Sequence, residues 1–358
     1  GNLICVIWIS LNGSFTVTSS TPEIPKALIR YRSIVESGLK VALNNDSSSS
    51  YLMMRYYMGW SDVFGDHTEA MTGKYIRPSL CLLAAESTGT DLSTALPTSL
   101  SLELIHNFSL IHDDIQDRDE VRHNRKTLWV QWGIPKALMA GNLMYVLANQ
   151  LTDLNFSDGK YNGIAKLLSD ACLKMIEGQY LDLSFEGKFD LTVPQYLDMV
   201  SRKTGALLTC SVVSGLELGN CTTTQKSHLT RAASSLGYAF QIRDDILGTW
   251  GDQSSIGKPV GSDIRRRKNA LPIVHLMNHI GLDARETVLK VMGLDSIDDD
   301  GVHLILEHME SVKTYEFCQG LAEEFCSTAI DEIEAANLPE RFQIDFMEVI
   351  NFVTKRIH

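Results

Sequence analysis

Residues 98–117 read TSLSLELIHNFSLIHDDIQD, and the fold class turns on this stretch. Leu100, Leu102, Leu104, Ile105 and Phe108 recur at separations that fall close to one helix face. The apolar run stops on Asp113-Asp114-Ile115-Gln116-Asp117. At about 3.6 residues per turn, Asp113 and Asp117 sit roughly one turn apart on the same face. Two carboxylates so placed repel, and helix stability alone gives no reason for them. A shared Mg²⁺ does, because it prefers carboxylate oxygen and bridges to substrate phosphates. A solitary D-D-x-x-D also fits a solvated acidic helix end.

Working outward, Asn142–Leu151, Gly163–Leu183, Tyr196–Leu216 and His228–Leu247 carry the same spacing of apolar residues. Thr192-Val193-Pro194 is a helix start, with Thr192 as cap and Pro194 in the first turn. Period-two alternation of β-branched residues is nearly absent. The expected fold class is all-α. There is no Pro- or Ser-rich linker and no short repeat, so residues 22–358 are expected to form one helical domain and residues 1–21 a tail. The longest polar stretch, Gly251–Lys268, is too long for a simple turn and has the character of a lid.

A second acidic pair, Asp244-Asp245, follows the apolar helix around Tyr238–Ile242. Two Asp pairs, each closing an apolar helix, suggest carboxylate helices that face each other across a cavity with metal ions between them. Cations cluster beside them. Arg122, His123, Arg125 and Lys126 follow the first pair, and Lys258, Arg265, Arg266, Arg267 and Lys268 follow the second. Lys74 and Arg77 stand earlier, and Lys203-Thr204 mid-chain. Taken alone, the Arg265–Lys268 run reads as a solvated face. Beside metal-binding carboxylates, it reads as a grip for diphosphate oxygens.

Composition narrows the function classes. With 44 Asp+Glu against 32 Lys+Arg, the 358-residue chain has a formal net charge of −12, which argues against a nucleic-acid binder. It does not exclude phosphorylated substrates, because divalent metals reverse the sign of an acidic pocket. Seven scattered cysteines without a C-x-x-C pair point to a reducing cytoplasm rather than to disulfides or zinc. Leu3–Ile9 is apolar but far short of the roughly 20 residues of a membrane span.

The stretches Thr72–Pro78, Leu102–Thr127, Glu177–Leu183, Lys203–Gly205 and Phe240–Pro272 resemble the trans-prenyl diphosphate synthases, the polyprenyl synthetase family, in order and spacing. The resemblance implies an isoprenoid-synthase fold, a single large helical bundle around a central cavity, usually as a homodimer. It implies a prenyltransferase that joins isopentenyl diphosphate to an allylic diphosphate with three Mg²⁺ ions when substrate is bound. Carried over by position, Asp113, Asp114 and Asp117 match the first aspartate-rich motif, and Asp244 and Asp245 the second. Arg122, Lys203, Thr204, Gln241, Lys258 and Lys268 match groups around the allylic diphosphate. Lys74, Arg77 and His106 match the site for isopentenyl diphosphate, which His123 would also face. Phe108, five residues before Asp113, matches the aromatic floor that stops chain growth. With no insertion between Asp114 and Asp117, a short- to medium-chain product is expected, geranylgeranyl diphosphate first and farnesyl diphosphate next.

The chain departs from the family pattern at several positions. His123 stands where a second Arg is common, Tyr75 replaces a frequent Arg, Asn124 a frequent Gly and Asn142 a frequent Asp. Asn269-Ala270 replaces Lys/Arg-Thr, and Gly248 stands where many relatives have the last Asp of the second motif. Two rival readings follow: a terpene cyclase that ionises a prenyl diphosphate without condensation, and a non-catalytic subunit of a heteromeric synthase.

Overall fold

The computed structural model describes residues 24–44, 49–68, 73–154, 162–251 and 260–354. The expected tail, Lys258 and part of the Gly251–Lys268 stretch lie outside them.

Four helices come first: Lys26–Ala42 (α1), Ser49–Tyr57 (α2), Ile76–Ser87 (α3) and Leu92–Gln116 (α4). A small ribbon follows, with Val121–Arg122 (β1) antiparallel to Arg125–Lys126 (β2), the one sheet among the described residues. Leu128–Trp132 (α5), Ile134–Leu154 (α6), Asn162–Phe185 (α7), Val193–Val200 (α8), Ala206–Glu217 (α9) and Thr223–Trp250 (α10) continue the chain. Shorter helices follow, then two long ones, Thr314–Ala335 and Glu340–Thr354. The all-α expectation holds. So does the start at Thr192, whose hydroxyl and Gln195 cap one another across the first turn of α8.

α4 runs through the middle of the bundle against α3, α6 and α9. Leu100, Leu102, Leu104, Ile105 and Phe108 are buried, and so are Thr98, Ser99, Ser101, Glu103 and Asn107. The helix is therefore enclosed all round, not on one face as its spacing suggested. Small hydroxyls make this tolerable because they bond to nearby carbonyls. Ser99 Oγ donates to Leu96 O at 2.7 Å, Ser101 Oγ to Ala148 O on α6 at 2.7 Å, and Thr152 Oγ1 to Ser101 Oγ at 3.0 Å. Asn107 Nδ2 donates to Glu103 O at 2.8 Å.

The segment Tyr196–Leu216, expected as one helix, is helical throughout but widens in its middle. Between α8 and α9, residues Ser201–Gly205 form a π-helical turn that carries Lys203 and Thr204. Such a turn accommodates an extra residue and rotates the side chains after it, and it recurs at functional sites. α10 packs along Thr314–Ala335, with Tyr196, Ile242, Leu271 and Cys318 in a second core beneath them.

His275, in the helix Leu271–His279, lies in that packing at 5% exposure. It stacks on Phe317 and His279 at 4.1 Å each and meets Thr314 Oγ1 at 3.1 Å. Burial, then the neighbouring His279, pushes its pKa down to about 4. The unfolded chain therefore takes up this proton at higher pH than the folded one, and the stability present above about pH 6.5 is lost as pH falls towards 4. We expect the urea-unfolding free energy of His275→Gln to fall less between pH 6.5 and 4 than that of the wild type, by about 1–3 kcal/mol. Parallel pH profiles would show that His275 is not the responsible group.

Candidate active site

Asp113 and Asp114 occupy the last turn of α4, and Asp117 follows directly at its carbonyl end. That end carries partial negative charge, which adds to their mutual repulsion. Burial raises the pKa of Asp113 to about 6. Asp117 and Asp182 push in the same direction, and Lys203 and Arg122 oppose them. Asp114 is likewise raised to about 6, first by burial, although Arg122 Nε lies 2.6 Å from its Oδ1. The pKa of Asp117 also rises with burial, against the pull of Lys203.

The β1–β2 ribbon brings Arg122 back to Asp114. Its turn residues His123 and Asn124 have φ of 50° and 59°. Asn tolerates this left-handed region better than most residues, which accounts for Asn124 where Gly is frequent. Arg125 does not face the carboxylates. It donates to Tyr56 O at 2.7 Å and Ser61 O at 2.6 Å, and its guanidinium lies over the Tyr56 ring. Lys126 is exposed, and its carbonyl accepts from Tyr56 Oη.

From the first acidic group a polar chain leads to the second. Lys203, on the π-helical turn, pairs with Asp182 of α7 and feels Asp113. Its neighbour Thr204 donates to Gln241 Oε1 at 2.8 Å, and Gln241 Nε2 donates to Asp245 Oδ1 at 3.0 Å. Asp245 also accepts from Lys268 Nζ at 3.3 Å, Tyr196 Oη at 2.6 Å and the Leu271 amide at 2.9 Å. With four donors on its two oxygens and 1% exposure, Asp245 is committed to this network, and Asp244 is the exposed member of the pair. The pair does not close its helix as expected, because α10 continues to Trp250.

Of the run Arg265–Lys268, only Lys268 turns to these carboxylates, with Asp263 Oδ2 at 3.7 Å besides Asp245. Arg265 bonds Ile297 O and Asp299, and Arg267 bonds Met292 O and Leu294 O. Arg266 pairs with Asp119, which Arg122 also approaches at 3.9 Å, so the segments after the two acidic groups are tied together. Gly248 has a steric reason: a Cβ there would lie 2.2 Å from Asp263 Oδ2. The Asp263 carboxylate fills the space of a side chain at 248.

A second group gathers around Glu103 and His106 of α4. Burial first, then Arg77, Arg122 and His123, holds the His106 imidazole well below its usual pKa, so it is neutral near pH 7. Glu103 is raised by burial against the pull of Arg77. His123 is also lowered, by burial and by Arg122. Lys74 Nζ lies 4.8 Å from the Phe352 ring centroid, which places it against the C-terminal helix. Phe108 turns towards α6, with Tyr145 at 5.3 Å and His112 edge-on at 4.9 Å. Lys258 lies outside the described residues.

Asp182, Asp263 and Tyr196 were not singled out from the sequence. Asp182 had a signal, since it stands in the Glu177–Leu183 stretch. Tyr196 had none, because its link to Asp245 crosses 49 positions.

Among the described residues, no three His, Cys, Asp or Glu side chains already converge as a metal site. The donors nevertheless fit a divalent cation. Asp114 Oδ2 is buried without a hydrogen-bond partner, and Asp113 is held at a raised pKa by burial and like charge. A cation would relieve both penalties.

The family model described as polyprenyl synthetase matches residues 60–309. A (2E,6E)-farnesyl diphosphate synthase of Mycobacterium tuberculosis is 34% identical over 308 residues, 85% of each chain. A geranylgeranyl diphosphate synthase of the same organism is 35% identical over 272 residues, 75% of this chain and 77% of that one. The crystal structure of a polyprenyl synthetase from Streptomyces coelicolor A3(2) superposes with a TM-score of 0.83 at 31% identity, covering 91% of this chain and 98% of that one.

The placement of Lys203 depends on Gly178 of α7, where a Cβ would lie 2.2 Å from the Lys203 amide nitrogen. We expect Gly178→Ala to push the π-helical turn away and to lower stability by about 1–3 kcal/mol in urea unfolding. An unchanged midpoint would show that the crossing has slack.

Proposed function

The chain belongs to the polyprenyl synthetase family, and on that footing we propose that it is a Mg²⁺-dependent trans-prenyltransferase joining isopentenyl diphosphate to an allylic diphosphate. The product is a short- to medium-chain prenyl diphosphate, with geranylgeranyl diphosphate first and farnesyl diphosphate next; both names occur among its relatives. One observation carries the reading. Lys203 pairs with Asp182 near Asp113, and its neighbour Thr204 leads through Gln241 to Asp245 and Lys268, so one polar chain joins the two acidic groups.

Mg²⁺, when bound, neutralises diphosphate oxygens and makes the group able to leave. Asp113, Asp114 and Asp117 would hold it from one side and the Asp244-Asp245 pair from the other. In that pair Asp244 would be the direct ligand, while Asp245 holds Gln241 and Lys268 in place. Arg122, Lys203, Thr204, Gln241, Lys258 and Lys268 hold the allylic diphosphate and stabilise the charge that grows on it. As the C1–O bond breaks, its electron pair leaves with diphosphate and an allylic cation remains. Lys74, Arg77, His106 and His123 hold isopentenyl diphosphate so that its double bond attacks C1. The departing diphosphate then takes the proton, and exclusion of water protects the cation.

A homodimer accounts for the apolar residues that one chain leaves exposed on α6 and α7, notably Met139, Val146, Leu173, Ile176 and Tyr180. No helix among the described residues is long and apolar enough to cross a membrane. We place the enzyme in the cytoplasm, without a nucleic-acid partner. The cyclase and non-catalytic readings are not favoured, because the relatives are synthases.

The purified protein, incubated with Mg²⁺ and an allylic diphosphate, should yield an elongated diphosphate by mass spectrometry only when isopentenyl diphosphate is added. A hydrocarbon or alcohol formed without it would favour the cyclase, and no turnover the non-catalytic subunit. Phe108→Ala should lengthen the product; an unchanged distribution would remove Phe108 from the chain-length role.

A further inference from the structure

Tyr57 ends α2 beside the β1–β2 ribbon, and its hydroxyl is buried without a hydrogen-bond partner. A buried hydroxyl left unpaired burdens the folded state. The surroundings keep it there. Arg125 clamps the Tyr56 and Ser61 carbonyls and stacks on the Tyr56 ring, and Tyr56 Oη is tied to Lys126 O. The backbone on either side of Tyr57 is thus fastened to the ribbon.

Tyr57 lines a narrow cleft together with Tyr56, Arg122, His123, Arg125, Lys126 and Thr127, with room for about one oxygen-sized group. Arg122, Arg125 and Lys126 bring positive charge to the cleft, against the carboxylates of Asp114, Asp113 and Glu103 that also act on the phenol, and the arginines and lysine suit it to an anionic oxygen. Burial raises the phenol pKa well above 10, and Arg122 is the strongest influence the other way. The phenol therefore stays protonated and can donate. His123, neutral and without a guanidinium fork, is a weak anchor for diphosphate.

We propose that Tyr57 is a diphosphate-binding residue, whose hydroxyl donates to a terminal phosphoryl oxygen of isopentenyl diphosphate and reinforces the weak hold of His123. This rests on the function proposed above. It also explains why an unpaired hydroxyl persists in the ligand-free fold: its partner arrives with the substrate.

The test compares wild type, Tyr57→Phe and the double variant Tyr57→Phe/His123→Arg. Isopentenyl diphosphate binding is measured by calorimetry, both substrates by steady-state kinetics, and the ligand-free Tm by thermal unfolding. Tyr57→Phe should weaken isopentenyl diphosphate binding and raise its KM about tenfold, leave kcat and the allylic KM within about twofold, and keep or raise the Tm. The double variant should regain most of the affinity, because an Arg fork replaces the lost bond. Unchanged affinity in Tyr57→Phe overturns the proposal, whether the Tm holds or falls; a fall would mean that water or protein satisfies the hydroxyl. Joint loss of Tm, allylic KM and isopentenyl diphosphate affinity also overturns it, as the mark of a structural role. A wild type that binds no isopentenyl diphosphate would sink the underlying function instead.

Discussion

Carboxylates crowded at the carbonyl end of a helix are the constraint around which this molecule is built. Asp113, Asp114 and Asp117 stand where the α4 dipole is unfavourable and like charges crowd, with Asp114 buried, Asp113 half-buried and Asp117 exposed. The protein does not remove this strain; it brings cations to it. Arg122 returns on the ribbon to Asp114, and Lys203 arrives on the π-helical turn.

Charge compensation then propagates. Lys203 needs a partner in the ligand-free state and finds Asp182, whose field also reaches Lys268. Lys268 leans on Asp245, which Tyr196 and the Leu271 amide hold in place. The result is a row of alternating charges between the two acidic groups. Preorganised charge acts strongly on a leaving diphosphate because little has to rearrange when charge develops. The net charge of −12 hides this local balance.

The departures from the family pattern have different physical standing. Asn124 sits at φ 59°, a conformation Asn can adopt, so this change is conservative in backbone terms. Gly248 leaves room for the Asp263 carboxylate, so negative charge near Lys268 is retained from another part of the chain. His123 removes a guanidinium that nothing at its own position replaces, and the neighbouring Tyr57 lines the same cleft. Nothing in the structure explains Asn142.

The helical class and the cap at Thr192 were legible in the sequence alone, and the resemblance of its motifs singled out Asp113, Lys203, Gln241 and Lys268 as candidates, which the fold joins in one polar network. Those readings follow from local spacing and from motifs that survive in order along the chain. The sequence could not reveal that α4 is enclosed on every side, because burial of Ser101 depends on a carbonyl of α6. Nor could it separate Lys268 from Arg265, Arg266 and Arg267, or Asp244 from Asp245. Adjacent residues of one type have the same chemistry, and only the surrounding packing decides which is aimed at the site. The π-helical turn and the Tyr196–Asp245 bond are tertiary for the same reason: each exists through contacts between distant segments, which local periodicity does not encode.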